Sequence, residues 1–143
     1  MTGRKILVAV DLQNDFIDGA LGTKEAEAII PAAAARIREM REAGADIFAT
    51  LDTHGTDYAQ TQEGKRLPVP HCIKGTEGWQ LNPEIRDAVG DGLLVEKPTF
   101  GSVRLPELFT LPVSMSRASV GVLLIWLPPV VCTCTVAPLT PSL

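Results

Sequence analysis

Three apolar runs in this chain end on a charged residue. "ILVAVD" stops at Asp11, "DIFATLDTH" reaches Asp52 and His54, and "VEKPTFGS" carries Lys97 just after Leu93-Leu94-Val95. A cation at the tip of a buried strand is a poor choice for packing. A carboxylate and an ammonium that converge in a cleft shift each other's pKa, and a general base with its electrostatic stabiliser is commonly built that way. Taken singly, each of these charges also reads as an exposed strand cap or half of a surface ion pair. Three of them on successive strands favour a shared cleft. A second set overlaps the first. Asp52 and His54 lie two apart, a spacing that puts both side chains on one side of an extended strand end. His71 is the only other histidine, and Glu63 falls between them. One aspartate, one glutamate and two histidines form an N/O donor set suited to a divalent metal: Zn²⁺, Mn²⁺ or Fe²⁺. The spacing fits no compact metal motif, so two ordinary loop histidines are the plain alternative.

The elements that must position these residues follow from periodicity. Residues 5 to 10 are continuously apolar after Lys5, the pattern of a parallel strand covered on both faces. A loop with Asn14, Asp15, Asp18, Gly19 and Gly22 follows. In "EAEAIIPAAAARIREMREAGAD", Ile30, Ala33, Ile37, Met40 and Ala43 fall near a 3.6-residue period, which predicts an amphipathic helix. Pro31 is expected near its first turn, and Gly44 stops it. "DIFATLD" is a second strand, so this unit is a right-handed βαβ crossover. Residues 53 to 83 read as a long polar loop, a length that is uncommon unless the loop carries function. A short helix from about Asn82 to Val89, a strand at 93 to 97 and a helix starting near Leu105 complete the regular part. Ligands in open α/β sheets bind beyond the carboxyl ends of the strands. That rim holds Asp11, Asp52 and Lys97.

The bulk composition narrows the function. A chain of 143 residues suits one domain. A net charge of -4, with no basic stripe, gives no pull toward nucleic acid. The longest apolar run, "VGVLLIWLPPVV", is too short and too broken by proline to span a bilayer, so no membrane partner is expected. Three cysteines, Cys72, Cys132 and Cys134, are an odd number and fit free thiols in a reducing, cytoplasmic setting.

The quoted motifs resemble the cysteine-hydrolase (isochorismatase-like) family that contains nicotinamidases, isochorismatases and N-carbamoylsarcosine amidases. "VAVDLQNDFIDGALG" is similar to the family's first motif, "TLDTH" with "PHCIKGTEGW" to the nicotinamidase-type metal loop, and "EKPTFGS" to the strand-end lysine motif. The resemblance implies a three-layer α/β/α, Rossmann-like domain with a parallel sheet, and a small amide as substrate. It makes Asp11 the catalytic base and Lys97 its partner. Phe16 becomes a wall of the substrate pocket, and Asp52, His54, Glu63 and His71 become metal ligands. The leading reaction is hydrolysis of nicotinamide to nicotinate and ammonia, a step of NAD metabolism. Pro68 stands where some nicotinamidases carry an aromatic. An isochorismatase-type hydrolase and a non-catalytic metal-binding remnant are the alternatives. Family members often form dimers or tetramers, which implies a homo-oligomer.

The resemblance covers residues 5 to 109. The family's nucleophile sits in a "GVCTDxCV"-like segment at the N-terminus of a long helix, whereas this chain has "VVCTCTVAPLTPSL". Cys134 is the nearest candidate nucleophile. Pro138 and Pro141 follow at once, and proline inside a helix costs about 3 kcal/mol or more. After Glu107 the only charged residue is Arg117, and charge patterning stops. The domain core is therefore expected over 1–109 and a divergent tail over 110–143. The change reads as a shift of reading frame near residue 110, which translation of the gene in its other two frames tests; a degenerate natural member is the alternative. The C-terminal part of the fold is expected to be truncated or disordered, leaving an inner strand edge bare.

Overall fold

The computed structural model describes residues 5–110, 119–124 and 132–135, with side chains over 5–109. Strands β1 (Lys5–Val10), β2 (Asp46–Asp52), β3 (Leu93–Lys97), β4 (Ser119–Leu124) and β5 (Cys132–Thr135) form one sheet in the order β3-β2-β1-β4-β5. β1, β2 and β3 are parallel, with Val10 opposite Thr50 and Asp52 opposite Lys97. β4 runs parallel to β1, and β5 is antiparallel to β4. The edge of β1 expected to be bare is thus met by β4 at Lys5 and Ile6. Residues 119–124 and 132–135 of the expected tail are strands, and the rest of that tail lies outside the described residues.

Helices α1 (Asn14–Ile17), α2 (Lys24–Glu42), α3 (Gln62–Arg66), α4 (Pro83–Val89) and α5 (Arg104–Thr110) connect the strands. The alternation of side chains along β1 and β2 divides the core in two. Leu7, Ala9, Ile47, Ala49 and Leu51 pack on Ile30, Ala33, Ala34 and Ile37 of α2 and on Ile85, Ala88 and Val89 of α4. Ile6, Val8, Phe48 and Val95 face the other way, onto Leu105, Leu108 and Phe109 of α5. Helices on both faces explain why these strands are continuously apolar. The result is the three-layer α/β/α arrangement expected from the sequence.

Thr23 caps α2 by accepting a hydrogen bond from the Ala26 N–H at 3.1 Å, and Gly44, at φ +79°, ends it. The helix starts earlier than periodicity suggested, at Lys24, so Pro31 is interior rather than in the first turn. Proline there removes the bond to the Glu27 carbonyl. Both residues face solvent, where water replaces the lost donor. The 53–83 connection is not structureless either. It contains a 3₁₀ turn at Tyr58–Gln60 and α3, and it ends on the Asn82 cap of α4.

Candidate active site

The three strand tips meet. Lys97 Nζ lies 2.7 Å from Asp11 Oδ2 and 3.3 Å from Asp52 Oδ1. Parallel register sets the second contact, since Asp52 and Lys97 are direct cross-strand neighbours. Asp11 follows the end of β1 with φ +55°, a left-handed conformation that costs a non-glycine residue energy and is found at functional sites. Thr50 holds it there. The Asp11 N–H donates to Thr50 Oγ1 at 3.1 Å, and that hydroxyl donates to Asp11 Oδ1 at 2.6 Å.

Two carboxylates around one ammonium are driven apart in acidity. Burial pushes the Asp11 carboxyl above its usual range, and the opposing pull of Lys97 and Thr50 does not cancel it. Burial would raise Asp52 too, but the hydrogen bond from His71 and the charges of Lys97 and His54 outweigh it and hold Asp52 below 3.8. Burial would lower the Lys97 pKa, yet the carboxylates of Asp11 and Asp52 keep it above 10.5. The lysine therefore stays charged, Asp52 stays ionised, and Asp11 is the group readiest to accept a proton.

Asp52 also faces the second cluster. Its Oδ2 lies 2.9 Å from His54 Nε2 and 3.5 Å from His71 Nε2. Glu63 Oε1 is 3.8 Å from His54 Nε2 and 3.9 Å from His71 Nε2. The four donor atoms lie within 4.8 Å of one another. A tetrahedral ion with bonds of ~2.1 Å has ligand–ligand edges of ~3.4 Å, so this donor set has the right size and chemistry for Zn²⁺ or a similar ion. His71 Nδ1 lies 2.8 Å from the Val69 carbonyl. Donation of its Nδ1–H to that oxygen fixes the ring with Nε2 toward the cluster, so that an ion displacing the proton shared with Asp52 would meet the Nε2 lone pair, the usual arrangement of a ligating histidine. Phe16 is half-buried beside it, its ring edge-on to His71 at 5.5 Å. Asp11, Phe16, Asp52, His54, Glu63, His71 and Lys97 are thus all brought together.

Cys134 is placed by its backbone alone, in β5 opposite Val122. That is an antiparallel strand and not the helix N-terminus at which the family carries its nucleophile. Cys72 is no substitute. It is fully buried, and burial with the charges of Asp52, Asp15 and Asp11 pushes its thiol far up, away from the reactive thiolate.

Several supporting residues escaped sequence reasoning. Gln13 is completely buried. Its amide accepts from the Asp52 N–H at 2.7 Å and donates to the Asp52 carbonyl at 2.8 Å and the Trp79 carbonyl at 2.7 Å. It fixes the backbone that carries the shared aspartate. Asp15 accepts from the Cys72 N–H at 2.7 Å and so ties the His71 segment to α1. Tyr58 packs under both imidazoles. Of these, Gln13 and Asp15 lie inside the "QNDF" motif, but no periodicity marked their partners.

The family model of the isochorismatase domain matches residues 5–109. The chain belongs to the isochorismatase family. Among solved structures it is similar to the pyrazinamidase of Pyrococcus horikoshii in complex with zinc, at 28% identity over 69% of this chain and 56% of that one, with a TM-score of 0.55. It is also similar to the pyrazinamidase/nicotinamidase of Streptococcus mutans UA159, at 28% identity over 84% of this chain and 72% of that one, TM-score 0.64. N-carbamoylsarcosine amidase of Thermoplasma acidophilum matches at 28% identity over 74% of this chain and 60% of that one, TM-score 0.61. This family member thus spans little more than half the length of the Pyrococcus horikoshii protein. No curated protein matches. Among the described residues no helix is long and apolar enough to cross a membrane.

The loop that carries Glu63 depends on one close approach. A Cβ on Gly64 would collide with the Tyr58 carbonyl oxygen, a backbone atom that cannot step aside. Gly64→Ala is expected to destabilise the protein by about 1–3 kcal/mol, read as a lowered midpoint of urea unfolding. An unchanged midpoint would mean that α3 moves away freely.

Proposed function

We propose that this chain descends from, and retains the site of, a metal-assisted cysteine hydrolase of small amides, with nicotinamide as the leading substrate. One observation carries the reading: the Asp11–Lys97 ion pair, at 2.7 Å, shares Asp52 with a four-residue metal-donor cluster. Pyrazinamidase and nicotinamidase neighbours at 28% identity support the substrate class, and the zinc complex of one supports the metal.

In this reading Asp11 takes the thiol proton of Cys134 as sulfur attacks the amide carbonyl carbon. The tetrahedral intermediate collapses with the proton delivered to the amine, and ammonia leaves. Asp11 then takes a proton from water, whose oxygen attacks the thioester carbonyl. Collapse returns that proton to sulfur and frees the acid. Lys97 keeps Asp11 ionised in the resting site and favours the negative charge that develops on the carbonyl oxygen. Phe16 packs on the ring of the substrate. Asp52, His54, Glu63 and His71 would hold a divalent metal (Zn²⁺, Mn²⁺ or Fe²⁺), which would supply a Lewis-acid site for a pyridine-type nitrogen or a water beside it. The protein acts in the cytoplasm, as a homo-oligomer.

The position of Cys134 favours a second reading, a metal-binding remnant without a working nucleophile. A helix N-terminus lowers a thiol pKa, and a strand gives no such help. Ammonia release from nicotinamide and pyrazinamide, measured with the metal-loaded protein before and after thiol alkylation, separates the two. Release that stops when Cys134 is labelled, and when a chelator strips the metal, is the expected result. Bound metal with no ammonia from either amide would establish the remnant.

A further inference from the structure

Glu63 is the weak point of the candidate metal centre. Its side chain is 37% exposed, against 7% or less for Asp52, His54 and His71. It rides on α3, a helix of only five residues. A helix that short has no stability of its own in water. Something outside it must hold the carboxylate toward the histidines.

The contacts around Tyr58 supply that hold. Its ring is almost fully buried, with its centroid 4.8 Å from that of His54 and 5.1 Å from that of His71. The two imidazoles are themselves 5.0 Å apart, so the three rings form a closed triangle at steep angles to one another. Tyr58 also grips α3 at both ends. Its carbonyl accepts from the Thr61 hydroxyl at 2.6 Å, and Thr61 in turn caps the helix by accepting from the Gly64 N–H at 2.9 Å. Its own hydroxyl donates to the carbonyl of Leu67, the residue that closes the helix, at 2.9 Å. A buried phenol needs such a partner, and here the partner lies on the helix that carries Glu63.

We propose that Tyr58 is the positioning residue of this metal centre: its ring sets the two imidazoles, and its hydroxyl, through Leu67, sets Glu63. The proposal rests on the metal reading of the site. Residues that orient ligands without touching the ion commonly change metal affinity about 10–100-fold when replaced. The two halves of the role separate chemically. Tyr58→Phe keeps the ring and removes only the anchor on α3. Tyr58→Leu removes both.

The test is Zn²⁺ affinity by competition with a chromogenic chelator, together with the visible spectrum of the Co²⁺-loaded full chain. Wild type is expected to bind one Zn²⁺, and Tyr58→Leu to bind it ~10–100-fold more weakly with an altered Co²⁺ spectrum. Tyr58→Phe should weaken binding less. That loss should vanish in a Glu63→Ala background, because the hydroxyl acts through Glu63. A merely structural role would lower the melting temperature but leave this coupling at zero. A folded Tyr58→Leu with wild-type affinity and spectrum overturns the proposal. So does a Tyr58→Phe effect of equal size with and without Glu63. If Tyr58→Leu fails to fold, the Tyr58→Phe and Glu63→Ala cycle decides alone. Wild type that binds neither ion would sink the metal reading itself, a result distinct from tight binding with indifferent variants.

Discussion

Lys97→Met is expected to cost about 3–5 kcal/mol of stability at neutral pH, because it strips the shared cation from two buried carboxylates. Lys97 Nζ touches Asp11 at 2.7 Å and Asp52 at 3.3 Å, and its side chain is 5% exposed. Methionine fills similar space, so the loss is electrostatic and not a cavity. The sign with pH follows from the shifts. Asp52, held below 3.8, stabilises the native wild type above that value, and the contribution fades as acid protonates it. Lys97, held above 10.5, stabilises it below that value, and the contribution fades as base removes the proton. In the variant the two carboxylates lose the ammonium they share, and both pKa values rise. A raised carboxyl pKa favours the native state only in acid, so the deficit against wild type should shrink as pH falls from 7 toward 4. Urea unfolding of both proteins at several pH values measures it. Adding Zn²⁺ should recover part of the loss, since Asp52 then has another cation. A deficit that stays constant with pH would mean that Lys97 acts through packing.

The rim of this site was legible because it violates the local pattern. An apolar run that ends in Asp11 or Lys97 breaks the logic of burial, and the break is visible in one dimension. The second ligand set was legible for a weaker reason: only two histidines exist, and both fall in an overlong loop. What stayed hidden depends on register. Thr50 meets Asp11 only because β1 and β2 pair with Val10 opposite Thr50, and nothing in "DIFATLD" states that offset. Gln13 reads as one more polar loop residue, yet it is fully buried and its three bonds reach Asp52 and Trp79. Nothing in the sequence marks Tyr58, one aromatic in a polar stretch, and only the folding of the loop back on itself brings it against His54 and His71. Pro31 misled the other way, since its preference for the first turn is statistical and a solvent-facing helix interior tolerates it. The segment around Cys134 has no such pattern to read: the strand at 132–135 lies in the stretch expected to be a divergent, truncated or disordered tail, where Pro138 and Pro141 argue against the family's helix and no strand period stands out.

Asp11→Asn should decide whether the site is a catalyst or a remnant, because it removes the base while sparing the metal donors. Asparagine keeps the shape, and its carbonyl oxygen still accepts from the Thr50 hydroxyl that now lies 2.6 Å from Asp11 Oδ1. Its amide NH₂ would then face the Lys97 ammonium, donor against donor. Lys97 keeps Asp52 as a counter-ion at 3.3 Å, so the native state loses less than in Lys97→Met, which takes the ammonium from both carboxylates at once. The order of stabilities is therefore wild type, then Asp11→Asn, then Lys97→Met. Zn²⁺ affinity should stay within a few-fold of wild type, since Asp11 is not among the four clustered donors. Amide hydrolysis, in contrast, should fall by ~10²–10⁴-fold in kcat, the usual worth of a positioned general base. Alkylation of Cys134 should slow in parallel, because the same carboxylate draws off the thiol proton. Intact Zn²⁺ binding with lost turnover would identify Asp11 as the base of a hydrolase. If wild type and Asp11→Asn release ammonia equally slowly and react equally with the alkylating agent, Cys134 never meets this carboxylate, and what the fold preserves is a metal centre beside an idle ion pair.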